Sequence, residues 1–369
     1  MKITFLCGSV EKGKDGVGDY VRRLAGVIIK QGHPCLIVSL MEKGSERKSA
    51  EQQESEGIEM SVIRLPFKNG ILANCIEAER NIKLFDPDWI SLQYVPFSFH
   101  DKGLSLTLAG SIKKIAENRR VHIMFHELWI GMENTAPFKR RMWGLLQRII
   151  MKKMLRELRP DVINTNTALY VAQLSRLGYQ SERLPLFGNI PVLDQKELIV
   201  KKANNLRLVV FGSIHYGAPV NEFAKELSNY VINRNLDAEI IFVGRCGDEQ
   251  VNWVAAFEAA GLTVQILGEQ PVSTISETLQ NADMGISTTP VILAEKSGTV
   301  AAMQEHGLPV LCVARAWSVK AFPKDYLPFG VQLFKQEQLA EIIDGAVISA
   351  VSTLSAVSSQ LLYSFKNFN

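Results

Sequence analysis

Short apolar runs alternate with longer segments of helical periodicity along most of the chain. An apolar run at residues 2–7 leads into a glycine-rich turn at 13–18. The next segment, 19–31, repeats its apolar residues on one face of a helix, which Gly32 ends as a C-terminal cap. A second apolar run covers 34–40. Strand, helix and strand in this order are typical of a parallel α/β sheet.

The same alternation continues in two successive blocks. In the first block we predict further strands at 59–64, 89–94, 121–126 and 161–165. Turn residues at 186–191 and a polar stretch at 201–205 then interrupt the pattern. In the second block the predicted strands are 206–211, 239–243, 263–267, 284–287 and 309–313.

The interruption predicts two domains, as does the length of 369 residues, which exceeds what one hydrophobic core usually serves. We predict an N-terminal Rossmann-like domain at 1–187, a linker at 188–204 and a second Rossmann-like domain at 205–345. The tail at 346–369 is serine-rich but keeps apolar side chains, so we predict a packed helix that could return to the N-terminal domain.

Composition narrows the class of protein. Hydrophobic residues make up 47% and charged residues 21% of the chain, as in a globular protein with a large core. A net charge of +3 is too small to indicate nucleic-acid binding. The five scattered cysteines lack a C-x-x-C spacing, which argues against a zinc site or disulfide framework and favours a reduced cytoplasmic compartment. We find no leader pattern and no run of about 18 apolar residues that would span a bilayer.

A glycine loop precedes the first predicted helix. Gly16 and Gly18 would let the backbone approach a phosphate, and the helix N-terminus would present free N–H groups to it. The alternative is a tight turn without a ligand. Glu42, after the second strand, could imitate the acid that holds a dinucleotide ribose. The glycines lack the G-x-G-x-x-G spacing, however, so a dinucleotide cofactor is disfavoured.

A second candidate anion site follows the predicted strand at 284–287. It comprises Glu295, Lys296, Ser297, Gly298 and Thr299. A lysine with hydroxyl side chains at the start of a helix supplies a positive charge and several hydrogen-bond donors in one place. The segment follows the carboxyl end of a strand, where α/β sheets bind ligands. The alternative is a capped helix with an exposed lysine.

Five segments, in order along most of the chain, resemble one family. They are 16–25, 91–96, 125–128, 296–299 and 306–310. In these segments the chain is similar to the retaining GT-B enzymes of glycosyltransferase family 4. The resemblance implies an α/β fold of two Rossmann-like domains whose parallel sheets face each other across a cleft. It also implies transfer of a hexose-type sugar from a nucleoside-diphosphate donor to a hydroxyl, with retention and without a metal or cofactor.

The resemblance implies donor contacts for several residues. Gly16 and Gly18 would lie against the donor diphosphate, together with the second anion site. The strand-end turns that carry Gly244, Arg245 and Gly268 would contact the nucleotide base. The alternative for these turns is an ordinary connection between strand and helix.

Candidates for catalysis lie in the first block. His126 ends an apolar strand and is followed by an acid, so it could orient a hydroxyl or transfer a proton, although a satisfied core histidine is the alternative. The resemblance favours positioning of the sugar or acceptor by His126, with the leaving diphosphate helping to deprotonate the acceptor. Asp19 is a second catalytic candidate, and Gln93 and Tyr94 are candidates for binding the acceptor.

The chain departs from the family at two points. The family has two glutamates separated by seven residues, but counting from Glu295 the second position is Met303. Ribose recognition must therefore differ, or Glu305 serves from a shifted register. The family also has an arginine and a lysine after the first strand of the second domain, where this chain has Ser213 and His215. We predict these two residues at the donor site, where His215 could donate to a phosphate; a structural role for His215 is the alternative. Each charge-assisted contact is worth about 1.5–3 kcal/mol, so this loss counts against ordinary catalysis.

A basic stretch at 139–159 carries apolar residues at helical spacing. This pattern is compatible with a helix lying on the anionic inner face of a membrane, which would suit an acceptor carried on lipid. The alternative is an ordinary helix with a solvated basic face and an apolar stripe towards the core. The segment 86–88, with two aspartates, precedes a strand, and we interpret it as a turn rather than a metal site.

Together these features predict a metal-independent nucleotide-sugar glycosyltransferase with a glycan or lipid-linked acceptor, in bacterial cell-envelope or exopolysaccharide synthesis. Two alternatives stay open. A GT-B scaffold that has lost donor chemistry could act as a binding or partner protein. A nucleotide-sugar epimerase would need acid and base carboxylates, for which the sequence shows no convincing set.

Overall fold

The computed structural model describes residues 1–193, 204–346 and 353–368. The chain divides into two compact units, Met1–Pro185 with Leu354–Asn369 (unit 1) and Leu186–Thr353 (unit 2). Each unit is an α/β structure on a mainly parallel sheet, so the prediction of two Rossmann-like domains is confirmed. Unit 2 contains the predicted linker, of which residues 194–203 lie outside the described ranges.

The strands of unit 1 are β1 (Ile3–Cys7), β2 (Cys35–Glu42), β3 (Ser49–Ser55), β4 (Ile58–Pro66), β5 (Trp89–Tyr94), β6 (Arg120–Phe125), β7 (Val162–Thr165) and β8 (Glu182–Arg183). Its helices before the second unit are α1 (Gly16–Lys30), α2 (Gly70–Phe85), α3 (Pro96–Phe99), α4 (Leu108–Ala116), α5 (Phe138–Leu158) and α6 (Ala168–Ser175).

The strands of unit 2 are β9 (Asn205–Phe211), β10 (Asp237–Val243), β11 (Thr263–Gly268), β12 (Met284–Ser287), β13 (Val310–Cys312) and β14 (Val331–Leu333). Its helices are α7 (Val220–Arg234), α8 (Gln250–Ala259), α9 (Val272–Asn281), α10 (Gly298–Glu305) and α11 (Leu339–Asp344). The C-terminal helix α12 (Leu354–Lys366) belongs to unit 1.

The sheet of unit 1 has the order β3-β4-β2-β1-β5-β6-β7-β8. All neighbouring pairs are parallel except β3 and β4. Strands β1, β2 and β5 are buried along their whole length, which explains their continuous apolar sequences. The edge strand β3 alternates between exposed and partly buried positions. Its polar sequence is the reason why the hydrophobic pattern did not predict it.

Helix α12 packs on the sheet of unit 1. The ring of Phe365 stacks on that of Trp89, at the start of β5, with the centroids 4.1 Å apart. Just beyond α1, Gln31 Nε2 donates to Ser358 Oγ at 3.1 Å. Leu361 has no exposed surface. These contacts cover the strand that leads to Gln93, and so support the site described below.

The sheet of unit 2 is entirely parallel and has the order β11-β10-β9-β12-β13-β14. Successive side chains of a strand point to opposite faces, so Leu208 and Val210 of β9 join one apolar cluster, and Val209 and Phe211 join the other. The sheet therefore has a core on each face. This arrangement fixes the carboxyl ends of β9, β12 and β13 side by side.

Candidate functional site

Unit 2 has a topological switch point between β9 and β12. The chain leaves β9 for β10 and β11 on one side and returns to β12 and β13 on the other. Open parallel sheets bind ligands outside the carboxyl ends of the strands at such a point. The loops after β9 and β12 carry Ser213, His215 and the segment 295–299. The structure therefore brings these predicted donor residues to one edge of one sheet.

A glycine joins these two loops closely. Gly212, directly after β9, has a φ of +76°, and a Cβ at this position would lie 2.8 Å from Thr299 Cγ2. Glycine alone fits both the backbone conformation and this distance. The loop after β9 thus rests against the first turn of α10. The first N–H groups of a helix are available to an anion, although the Ser297 hydroxyl accepts here from Val300 N at 3.4 Å.

Hydroxyl groups connect the same loops. Thr288 Oγ1 accepts from the backbone N–H of His215 at 2.8 Å and lies 3.2 Å from His215 Nδ1. Ser297 Oγ lies 3.0 Å from Thr299 Oγ1 and 3.5 Å from Thr289 Oγ1. Hydroxyls can turn their hydrogens towards a bound oxyanion, so this cluster can serve both the helix cap and a ligand.

Two cations lie near the loop after β9, although the loop has none of its own. Partial burial lowers the pKa of His215, and the charges of Lys296 and Arg315 lower it further. His215 is therefore mostly neutral at neutral pH, and its ring can donate one hydrogen bond. Arg315 is not among the residues that the sequence indicated. Its signal was its place just after the predicted strand at 309–313.

The turns predicted to contact the nucleotide base adjoin the same edge. Gly244 N donates to Gly268 O at 2.7 Å, and a Cβ on Gly244 would lie 3.5 Å from Gly212 N. Arg245 forms an ion pair with Glu269, with Nε and Oε2 2.8 Å apart. Both of those side chains are two-thirds exposed. The structure groups these turns beside the loop after β9, and base contact stays a prediction.

The family's second glutamate position lies in the core of unit 2. Met303 has no exposed surface and packs against Gly285 of β12. Glu305 ends α10, and its carboxylate lies beside Gly188. Glu295 is partly buried in a 3₁₀ turn before the helix. The side chain at position 303 is therefore too deeply buried to contact a ribose, and any role of Glu305 stays a prediction.

In unit 1, His126 follows β6 at the carboxyl edge of the sheet and is only 7% exposed. Its Nε2 lies 2.9 Å from Gln93 Oε1, and Gln93 Nε2 donates to Ser91 Oγ at 2.7 Å. Ser91 Oγ lies 2.8 Å from His122 Nδ1. The Gln93 oxygen that faces His126 can only accept, so His126 Nε2–H is the donor; Ser91 Oγ accepts from Gln93 and lies within hydrogen-bond distance of His122.

This relay fixes the tautomer of His126. With the proton on Nε2, the lone pair is on Nδ1, which is the acceptor position. Burial lowers the pKa of His126 to about 3, so the ring is neutral at neutral pH. The ring of Tyr20 contacts it edge-on, with centroids 5.0 Å apart. A neutral, oriented imidazole can accept a hydrogen bond from a hydroxyl or relay its proton.

Gln93 and Tyr94, the predicted acceptor-side residues, are buried. Gln93 is 1% and Tyr94 4% exposed, and the Tyr94 ring lies between Phe99 and Phe125. In this structure the side chain of Gln93 therefore orients the ring of His126. Direct contact of either side chain with an acceptor stays a prediction.

The start of α1 is occupied by the protein's own groups. Asp15 caps the helix, its Oδ1 accepting from Gly18 N at 2.7 Å. A Cβ on Gly18 would lie 2.7 Å from Val10 Cα, so close packing explains this glycine. Gly16 has open space where a side chain would be. Asp19 accepts from the buried Arg22. Diphosphate contact by the two glycines, and catalysis by Asp19, stay predictions.

Glu42 is fully buried at the end of β2. Its carboxylate accepts from Ser9 Oγ at 2.6 Å, Ser39 Oγ at 2.8 Å and Val10 N at 3.1 Å, and it pairs with Arg64 Nε at 3.3 Å. Burial raises the pKa of Glu42, but these bonds outweigh it and hold the pKa below its ordinary value. Its oxygens hold the loop after β1 in place, so the carboxylate of Glu42 is not available to bind a ribose.

Helix α5 has two apolar faces. One faces the core, and Gln147 fixes it there by accepting from Ile130 N at 3.0 Å and donating to Lys102 O at 3.1 Å. The other, which we call the α5 stripe, is 43–77% exposed and comprises Phe138, Met142, Leu145, Leu146 and Ile149. The helix also carries seven basic residues and one acidic residue. The predicted basic amphipathic helix is therefore present, with exposed apolar side chains that the core-facing alternative did not anticipate.

Among the described residues, no group of three or more His, Cys, Asp and Glu side chains is placed to hold a metal ion. Asp88, from the segment 86–88, accepts from Lys2 N at 2.7 Å and so acts in a turn. In the described parts of the chain, no helix has the length and apolar character needed to cross a bilayer.

Comparison with known proteins identifies the fold. No protein-family model and no curated protein sequence matches the chain. A Listeria monocytogenes protein assigned as a UDP-N-acetylglucosamine 2-epimerase matches with a TM-score of 0.59 at 12% identity, over 99% of this chain and 95% of that one. A glycosyltransferase of Rickettsia africae gives 0.55 at 14% identity, over 100% and 94%.

The Anabaena protein HepE (Alr3699), solved with UDP and glucose, gives a TM-score of 0.54 at 15% identity, over 100% of this chain and 96% of that one. At these identities the likeness concerns the fold. With its two Rossmann-like units, this chain has the GT-B fold, as the sequence predicted.

Proposed function

We propose that the chain is a nucleotide-sugar glycosyltransferase that moves a hexose-type sugar from a nucleoside-diphosphate donor to a hydroxyl, with retention. The observation that carries the proposal is the edge of unit 2, where Ser213, His215 and the hydroxyl cluster meet the first turn of α10. Helix N–H groups, hydroxyls and Lys296 together are the donors that a diphosphate requires. The edge lies at a switch point, the usual ligand position of such sheets.

The nucleotide finds support in the fold relatives. HepE was solved with UDP and with UDP-glucose. A uridine diphosphate sugar is therefore the first donor to test. The turns at Gly244 and Gly268, next to Gly212, are the nearest place for the base.

We assign the acceptor to unit 1. His126 has its proton on Nε2, held by Gln93, so Nδ1 can accept the hydrogen of an acceptor hydroxyl. A group with a pKa of about 3 is a weak base, so His126 orients the hydroxyl more than it removes its proton. In a retaining transfer the leaving diphosphate can take that proton. We propose that the reaction needs no metal, since Lys296 and the helix supply the positive charge.

The α5 stripe supports contact with an anionic membrane surface. Apolar side chains would enter the headgroup region, and basic side chains of the same helix would pair with anionic lipid. This would bring unit 1 to a lipid-linked acceptor on the cytoplasmic face. Bacterial cell-envelope or exopolysaccharide synthesis is the setting that we propose on this basis.

The fold similarity to an assigned 2-epimerase favours a second candidate, an epimerase acting on a nucleotide sugar. The two activities differ in products, because an epimerase returns a nucleotide sugar and a transferase releases the nucleoside diphosphate. Incubation of the protein with UDP-sugars, with and without lipid or glycan extract, followed by separation of nucleotides, distinguishes them. Release of UDP that depends on the extract supports the transferase.

The first experiment measures the melting temperature with a panel of UDP, GDP, ADP and their sugars. A ligand at about 100 times its dissociation constant adds about 2.7 kcal/mol of stability, a visible shift. We expect one diphosphate to stabilise the wild type and to lose most of this effect in Lys296→Ala. Lys225→Ala, an exposed lysine on α7, is the matched control. If no nucleotide binds at millimolar concentration, the transferase proposal fails and a scaffold without donor chemistry replaces it.

A further inference from the structure

The loop after β9 has no cationic residue between positions 212 and 219, although it borders the edge where the diphosphate is placed. Charge-assisted hydrogen bonds are the strong contacts to an oxyanion, so a cation from another loop would add to the binding that Lys296 provides. We propose that Arg315, in the loop after β13, supplies the guanidinium that binds the donor diphosphate beside Lys296. The inference rests on the proposed function and names a residue for it that the sequence did not.

The side chain of Arg315 reaches the loop after β9. Strand β12 separates β13 from β9 in the sheet, so the two loops are not immediate neighbours. A Cβ on Gly217 would nevertheless lie 3.6 Å from both Cβ and Cδ of Arg315. The aliphatic stem of Arg315 therefore lies beside Gly217 of the loop after β9. Gly217 has a φ of +84°, a backbone conformation that favours glycine at this turn.

The cations Lys296 and Arg315 both lie close enough to act on one residue of the loop after β9, His215. The charges of Lys296 and Arg315 both act on the imidazole of His215. His215 is tied by its backbone N–H to Thr288 of the loop after β12. Arg315, Lys296 and His215 therefore come from three loops that meet at one place. Arg315 is exposed, so its guanidinium can meet an incoming anion without first being buried.

Arginine suits this position because of its geometry. Its planar fork can offer two parallel N–H groups to a phosphate, whereas lysine is a point charge. Because its stem lies beside Gly217, the side chain of Arg315 is already at the loop after β9 before a ligand binds. The structure thus provides, from another strand end, the charge that the loop after β9 lacks.

Calorimetric titration tests the proposal with UDP, GDP and ADP and with their parent nucleosides. For whichever diphosphate binds the wild type, Arg315→Ala should weaken binding by about tenfold or more, since a charge-assisted bond is lost. Binding of the parent nucleoside should not change. Arg315→Lys should fall between the two, and Arg234→Ala, an exposed arginine at the other end of α7, should bind as the wild type does.

The outcomes separate the two proposals. If Arg315→Ala binds the diphosphate as tightly as wild type, the role of Arg315 is wrong while the proposed function stands. If the variant loses nucleoside and diphosphate affinity equally, Arg315 does not act on the phosphates, and the inference is again wrong. If the wild type binds no diphosphate at all, the proposed function fails and this inference with it. An unchanged melting temperature shows that the variant is folded, and Arg315→Gln replaces it if it is not.

Discussion

Unit 1 buries two imidazoles, those of His122 and His126, and burial lowers the pKa of each to about 3. The pKa of a histidine in an unfolded chain is about 6.5. Between these values the unfolded state binds more protons than the folded state does. The free energy of unfolding must therefore fall as the pH drops below about 6.5, and the loss continues until the folded protein itself takes up the protons near pH 3.

The size of this loss follows from the shifts. Between about pH 7.5 and about pH 5.5, a histidine that stays neutral in the folded state loses about 1.4 kcal/mol of stability, so the pair loses about 3 kcal/mol. This is a large part of a typical stability of about 5–15 kcal/mol. In His122→Gln one of the two imidazoles is absent, and the amide can still accept from Ser91 Oγ. The variant should therefore lose about 1.4 kcal/mol less than wild type over the same interval.

Urea unfolding at the two pH values, followed by circular dichroism, measures the difference. The absolute stability of His122→Gln can change for packing reasons, but the prediction concerns only the difference between the two pH values. His100→Gln, which lacks an exposed imidazole of the same unit, is the control and should follow wild type. Equal losses in His122→Gln and wild type would refute the reasoning, because they would mean that His122 is not held neutral.

Three further predictions concern the candidate sites. Gln93→Leu removes the amide oxygen that holds the proton of His126 on Nε2, so kcat should fall at least tenfold. Nucleotide affinity, measured by thermal shift, should not change, because the substitution lies in unit 1. Met303→Glu, which restores the second glutamate, should cost about 3 kcal/mol or more in urea unfolding because it buries an unpaired charge, and should not improve nucleotide binding. The double variant Leu146→Ser, Ile149→Ser should reduce sedimentation with anionic vesicles while the melting temperature stays the same, since both side chains are exposed.

The fold could be predicted where buried elements have a recognisable pattern of apolar residues in the sequence. Strands such as β1 and β5 are buried on both faces and appear as apolar runs of strand length. Edge strand β3 pairs through its backbone while its side chains meet solvent, so no hydrophobic signal exists for it. The exposed face of α5 could not be separated from its buried face, because both are apolar at helical spacing.

The site was predictable where one segment carries it. The segment 295–299 combines a strand end, a helix start and a lysine in consecutive residues. Arg315, which we propose to bind the diphosphate, was not predicted because its place beside the loop after β9 depends on the strand order and on its closeness to Gly217. Gln93 was predicted to bind an acceptor. The sequence does not show that both ends of its amide already hydrogen-bond to His126 and Ser91.

Two helix starts, those of α1 and α10, were candidates for the diphosphate, and the charged side chains around them differ. At α1 the cap is Asp15, and burial followed by the charges of Asp19 and Glu42 raises the pKa of that carboxyl. Asp19 and Glu42 form ion pairs with Arg22 and Arg64, but the carboxylate of Asp15 would repel a diphosphate and already accepts from the N–H of Gly18. At α10 the cap is a neutral serine, and the cations Lys296 and Arg315 lie nearby, together with the carboxylate of Glu295. The helix dipole is similar at both places, so the side-chain charges decide, and they favour the donor diphosphate at α10.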